Sequence, residues 1–134
     1  MSNLRTIQAI YGALGKGDVP AILEHIREDV ALDAELAPAI PLGSPARGRA
    51  GFTGFFGAMH EHMEITHFAS TALLEGSGVV VALIDIAFRV KMTGRVVRGS
   101  NEIHVWRFDE KGRVSSMKYG VNSHAHFRAF SDPA

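Results

Sequence analysis

The stretch NEIHVWRFDEKGRV, Asn101 to Val114, reads as a strand that runs into a tight turn and starts back. Ile103, Val105, Trp106 and Phe108 favour a pleated backbone, and the DEKG that follows, residues 109–112, is a hairpin connection. Successive strand side chains point to opposite faces, so His104 shares a face with Trp106 and not with Ile103 or Val105. An ionisable ring thus stands beside the single tryptophan of the chain, on a face that reads as enclosed. Two readings are open. It is a satisfied core histidine, or it is a working group in a pocket.

Outward from this stretch the same pattern repeats. THFASTALLE (66–75), VVVALIDIAFRVKM (79–92), RVVRGSNEIHVWRF (95–108) and RVSSMKYGVN (113–122) are separated by GSG, TG and DEKG. These are strands joined by hairpin turns, a four-strand antiparallel meander. The N-terminal part has helical spacing instead. Leu4, Ile7, Ile10, Tyr11 and Leu14 predict a helix over 4–15, with Ser2 or Asn3 as its cap and GKGD as its end. Asp18 and Pro20 open a second helix, whose buried side is Ile22, Leu23 and Ile26. DVALDAEL alternates as a short strand, with Val30, Leu32 and Ala34 on one face and Ala31, Asp33 and Glu35 on the other. A Pro- and Gly-rich loop follows over 37–51. A third helix is expected over 49–63, with Phe52, Phe55, Phe56 and Met59 on one face. Helices first and an antiparallel sheet after predict an α+β fold: three N-terminal helices on a curved, mostly antiparallel sheet, enclosing a cone-shaped internal pocket.

The 134 residues suit one domain, 1–134, and 46% hydrophobic residues are enough for a core without staples. Cysteine is absent, which excludes disulfides, thiolate nucleophiles and cysteine-ligated metals. Fourteen basic and fourteen acidic residues cancel, so no basic field draws nucleic acid. No apolar run is long enough to span a membrane, and the start carries no signal-peptide pattern. A soluble, cytoplasmic protein is the expectation.

The pieces IYGALGKGDVPAILEHIREDVAL, ARGRAGFTGFF and HVWRFDEKGRVSSMKY, in this order and spacing, resemble the nuclear-transport-factor-2-like (NTF2-like) superfamily, in its ketosteroid-isomerase and SnoaL-like polyketide-cyclase branches. The resemblance spans nearly the whole chain. It implies a pocket for a small apolar molecule and dimers formed sheet to sheet. It does not fix the reaction, because the fold hosts several chemistries. In the isomerase branch a helix-one tyrosine and a protonated aspartate form an oxyanion hole, and a short-strand aspartate moves the proton. By spacing, those places fall here on Ile10, His104 and Ala34. Tyr11 is one residue from the first and about 100° round the helix. Asp33 and Glu35 flank the third, and a one-residue slip would bring a carboxylate in. The cyclase-like branch often carries a histidine at the place of His104, and an Asp-Thr where this chain has Asn122 and Ser123.

If even positions of the strand face the pocket and no bulge intervenes, Arg98, Ser100, Glu102, Trp106 and Phe108 join His104. Ile84, Ile86, Phe88 and Val90 would line it from the strand before, and Met117, Tyr119 and Val121 from the strand after. Asp85, Arg89 and Lys91 would face outward. His104 is the candidate acid or base, since an imidazole titrates near neutrality. Tyr119 is a candidate donor and Asp33 a candidate carboxylate. Each has a plainer role, as core aromatic or solvated edge charge. Arg98 and Glu102 stand near an open end or pair across strands. Asn122 orients a ligand or caps the tail. Tyr11, Phe56, Ile86, Phe88, Trp106 and Met117 complete the candidate walls. His60 and His62 diverge on a helix end, and HAH at 124–126 has no strong zinc spacing, so no metal is expected. No glycine loop follows a strand to cradle phosphate, so no organic cofactor is expected.

Two functions remain open. The first is acid–base chemistry on a small carbonyl or epoxide compound, as an isomerase, cyclase or hydrolase. The second is a binding or dimerisation module of the same fold. Val79, Val81, Leu83, Ala87, Ile103 and Val105 form an outward apolar patch that predicts a homodimer through the sheet.

Overall fold

The computed structural model describes residues 2–35, 46–120 and 128–130. The first helix, α1 (Asn3–Lys16), starts where Ser2 Oγ accepts from the Arg5 N–H at 3.2 Å. It buries Thr6, Ile7 and Ile10 along one stripe. It stops at Gly17, whose φ of 68° is a left-handed conformation that a Cβ would oppose. Asp18 caps the short α2 (Val19–Leu23) by accepting from the Ala21 N–H. Strand β1 runs Ile26–Glu35, β2 is Ala46–Arg47 and α3 is Gly48–His62. The meander follows as β3 (Met63–Gly76), β4 (Val79–Val90), β5 (Val96–Phe108) and β6 (Val114–Gly120). Among the described residues no helix is long and apolar enough to cross a membrane.

The six strands form one sheet in the order β2-β1-β6-β5-β4-β3. Neighbours are antiparallel except β1 and β6, which are parallel. Ile26, expected on the second helix, opens β1 instead. It pairs with Val114, whose N–H reaches the His25 carbonyl at 2.8 Å. The sheet takes this residue because β6 offers a ladder and α2 ends three residues earlier. The turn into β6 is held by Asp109, which accepts from the N–H groups of Lys111 and Arg113, both at 2.9 Å. The helices cover one face of the sheet. Ile7, Ile10, Phe52, Phe55 and Met59 from the helices meet Val80, Ala82, Ile84, Ile86, Phe88, Val90, Trp106, Met117 and Tyr119 in one buried core.

The alternation holds on β4 and over the C-terminal part of β5, and breaks at a bulge between them. Ile86 pairs with Ser100, but Phe88 pairs with Val97, so residues 98 and 99 oppose Ala87 alone. Such an insertion flips the face of everything beyond it. Val97 therefore packs on the core and Arg98 is exposed, contrary to the even-position expectation. Ala87, read as part of the outward patch, is buried at the same bulge.

Candidate functional site

Past the bulge, β5 sends Glu102, His104 and Trp106 inward, at 1%, 4% and 1% exposure. Ile84, Ala82 and Val80 stand opposite them on β4, and Tyr119 and Met117 stand opposite His104 and Trp106 on β6. Here the polar groups meet. Tyr119 O–H donates to Glu102 Oε1 at 2.6 Å. His104 Nε2 lies 3.3 Å from Glu102 Oε2. The Tyr11 hydroxyl of α1 lies 2.6 Å from His104 Nδ1, and Trp106 Nε1–H donates to the Tyr11 oxygen at 3.0 Å.

The direction of these bonds follows from what each group can do. An indole N–H only donates, and an ionised carboxylate only accepts. A chain consistent with both, with a neutral imidazole, runs Trp106 to Tyr11, Tyr11 to His104 Nδ1, and His104 Nε2–H to Glu102, with Tyr119 donating from the other side. This proton assignment rests on the network, as it must for any imidazole. In that arrangement the imidazole carries its proton on Nε2. Burial pushes the Tyr11 hydroxyl well above the ordinary tyrosine range; the Trp106 bond opposes this and the Glu102 charge adds to it. Tyr119 is raised likewise, first by burial and then by the Glu102 charge and hydrogen bond.

Tyr11 also lines a cleft of about 390 Å³ between α1 and the start of β3, together with Leu14, Gly15 and residues 65–68. Phe68 packs on the Tyr11 ring, centroids 5.5 Å apart. The single tyrosine of α1 therefore belongs both to the cleft and to the buried hydrogen-bond chain.

The other predicted site residues are distributed as follows. His104 and Tyr119 are brought together, but they converge on the Glu102 carboxylate and not on a shared vacant point. Glu102, expected near an open end, is buried, because it lies on the interior side of the bulge. Asp33 is exposed and pairs in register with Lys118. The one-residue slip that would turn it inward is absent: pairing with β6 is continuous from Ala31 to Glu35, and the irregularity lies before Ala31. Ile86, Phe88 and Met117 are core residues. Phe56 is partly buried against Phe52 and Phe55, at 4.9 and 5.4 Å. Arg98 is outside. Asn122 and the histidines of 124–126 lie outside the described residues. Among the described residues no group of three or more metal-ligating side chains converges. His67, at the cleft, pairs with Asp85 at 3.3 Å.

In the sequence Tyr11 is a wall residue, about 100° round the helix from the position that the resemblance gives to a catalytic tyrosine. In the fold its hydroxyl reaches His104 all the same, a contact between residues far apart in the chain. The signal present in the sequence was the set of polar-tipped aromatics, Tyr11, His104, Trp106 and Tyr119, each of which requires a partner when buried.

The sequence profile of a family described as the SnoaL-like domain matches residues 7–117. An NTF2-like protein of Burkholderia xenovorans LB400 shares 21% identity, with 96% of this chain and 95% of that one covered at a TM-score of 0.87. An NTF2-like protein of unknown function from Burkholderia pseudomallei K96243 shares 23%, over 98% and 99%, at 0.84. TerC, co-crystallised with polyporic acid, shares 19%, over 97% and 98%, at 0.82. At these identities the likeness is one of fold. No curated protein matches the chain.

Proposed function

The chain belongs to the SnoaL-like domain family, and from that membership we propose that it binds a small, mostly apolar carbonyl or epoxide compound in the cleft beside Tyr11 and acts on it by acid–base chemistry, as an isomerase, cyclase or hydrolase. The observation that carries this is Tyr11, a residue that lines the cleft and whose hydroxyl sits 2.6 Å from His104 Nδ1. In this reading Tyr11 meets the substrate oxygen. His104 stands behind it and takes or returns the proton, while Glu102 holds Nε2–H and so fixes the tautomer. The cleft is of ordinary size for a small ligand, apolar at Leu14, Ile65 and Phe68 and polar at Tyr11, Thr66 and His67. TerC with polyporic acid is a precedent for a small molecule held by this fold.

A panel of enones, aryl ketones and epoxides incubated with the protein tests the proposal. Tyr11→Phe is expected to lower turnover about 100-fold or more while leaving the fold intact. Undiminished turnover in Tyr11→Phe removes the phenol from the chemistry. One observation favours the second reading, a binding module: His104, Tyr119 and Tyr11 already satisfy one another and Glu102 inside the protein. A ligand recovered unchanged after long incubation supports that reading.

A further inference from the structure

From α1 the cleft is lined by Tyr11, Leu14 and Gly15. Their spacing is i, i+3 and i+4, so they form one stripe of the helix surface. Burial falls away along that stripe: Tyr11 and Leu14 are half-buried and Gly15 is exposed. The facing wall is residues 65–68 of β3, where Phe68 packs on the Tyr11 ring. An aromatic pair thus stands toward the interior of the cleft, and Gly15 stands on its side nearer to solvent.

The packing of the chain does not demand a glycine at position 15. The residue lies inside α1 and, unlike Gly17, takes no positive φ. A Cβ built on it meets nothing within 4 Å. Neither a left-handed backbone nor a close approach calls for glycine, and alanine would favour the helix more. What the missing side chain leaves is room. A Cβ at position 15 would stand on the helix face that carries Tyr11 and Leu14. Helical side chains lean toward the N-terminus, so a longer one at 15 would lie back over the turn that holds Tyr11, across the cleft.

We infer that Gly15 is the size-selecting residue of the cleft: by carrying no side chain it admits a flat two-ring compound, where a larger residue would restrict the cleft to a single ring. This rests on the reading that the cleft beside Tyr11 is the ligand site. Tyr11 and Gly15 are four residues apart, about 6 Å along the helix axis at 1.5 Å per residue. That is longer than one six-membered ring and close to the length of a fused pair. A glycine also lets a ring lie against the helix backbone itself, because no Cβ holds it off. Gly12 is the internal comparison. Its Cβ position is just as open, but it stands about 100° round the helix from Tyr11 and is not among the residues that line the cleft.

The test uses 2-acetylnaphthalene and acetophenone, a two-ring and a one-ring ketone, with affinities measured by NMR titration. Gly15→Leu is expected to weaken binding of 2-acetylnaphthalene roughly tenfold or more and to change that of acetophenone by less than about twofold. Gly15→Ala should fall between the two and raise the melting temperature. Gly12→Leu should leave the ratio of the two affinities as it is in the unaltered protein. Ile65→Ala, on the exposed part of the facing wall, should weaken both probes and so place them in the cleft. If Ile65→Ala weakens binding and Gly15→Leu leaves the ratio unchanged, the inference is overturned and the ligand site stands. An equal loss for both ketones in Gly15→Leu, or the same selective loss in Gly12→Leu, overturns it as well. If neither probe binds, or if neither Ile65→Ala nor Gly15→Leu alters binding, the ligand site falls and the inference with it.

Discussion

Glu102 is a carboxylate with 1% of its surface exposed, and its place in the core depends on Tyr119 O–H at 2.6 Å and His104 Nε2 at 3.3 Å. Removing it strands both donors, each at a cost of about 1–3 kcal/mol. Glu102→Ala is therefore expected to lower the unfolding free energy by roughly 2–5 kcal/mol in urea denaturation. Glu102→Gln keeps an acceptor and should cost less; equal losses in the two variants would contradict this account. The two tyrosines predict behaviour at high pH. Burial raises both hydroxyls above the ordinary tyrosine range. A group raised in this way holds its proton more tightly folded than unfolded. Its contribution is full below the unfolded value of about 10 and is lost as pH climbs past it. Stability from these groups should hold up to about pH 9 and decline above about pH 10. Tyr11→Phe with Tyr119→Phe should flatten that decline in denaturation curves taken across the range.

Helix α3 contains a test of what its glycines do. The sequence alone leaves close packing and a yielding pocket wall both open. A Cβ built at Gly54 or Gly57 meets nothing within 4 Å, so close packing is not the reason for either. Gly54→Ala and Gly57→Ala are each expected to stabilise by up to about 1 kcal/mol, read as a raised melting temperature, because alanine restricts the unfolded chain. Gly17 behaves oppositely. Its φ of 68° ends α1 about one turn beyond Leu14, and Gly17→Ala should cost about 1 kcal/mol by the same measurement. A bulge is the other device at this scale. Two residues of β5 against Ala87 of β4 decide that Arg98 points out, while Glu102, on the near side of the bulge, keeps its parity with His104 and points in. Nothing in VVRGSN marks that insertion beyond one glycine, which is why an unbroken alternation misplaces Arg98.

At the scale of the molecule, the outward sheet face is apolar where β4 and β5 pair. Leu83 and Ile103 are register partners, 37% and 48% exposed, with the half-buried Val81 and Val105 beside them. Leu74 of β3, 58% exposed, pairs with Val81. A second copy of the chain is the expected cover, since one patch can face itself across a twofold axis. Sedimentation at micromolar concentration should give a dimer, and Leu83→Glu with Ile103→Glu should give a monomer of unchanged secondary structure. A monomer before substitution would refute the expectation.

The sequence by itself determined the class and the order of elements, because hydrophobic period and turn chemistry are local. Three N-terminal helices, the meander and its hairpins stand where Ile7 and Ile10, the alternation of 79–90 and the DEKG turn put them. It also determined that His104 and Trp106 share an inward face, since strand parity needs no distant contact. Only the tertiary structure decided which partners those residues have. The Tyr11–His104 bond joins residues ninety-three positions apart, and the packing of α1 over the sheet sets it. Arg98 and Asp33 stand outside for a similar reason. A bulge and a parallel register are fixed by which strands lie side by side, a property of the assembled sheet and not of any one segment.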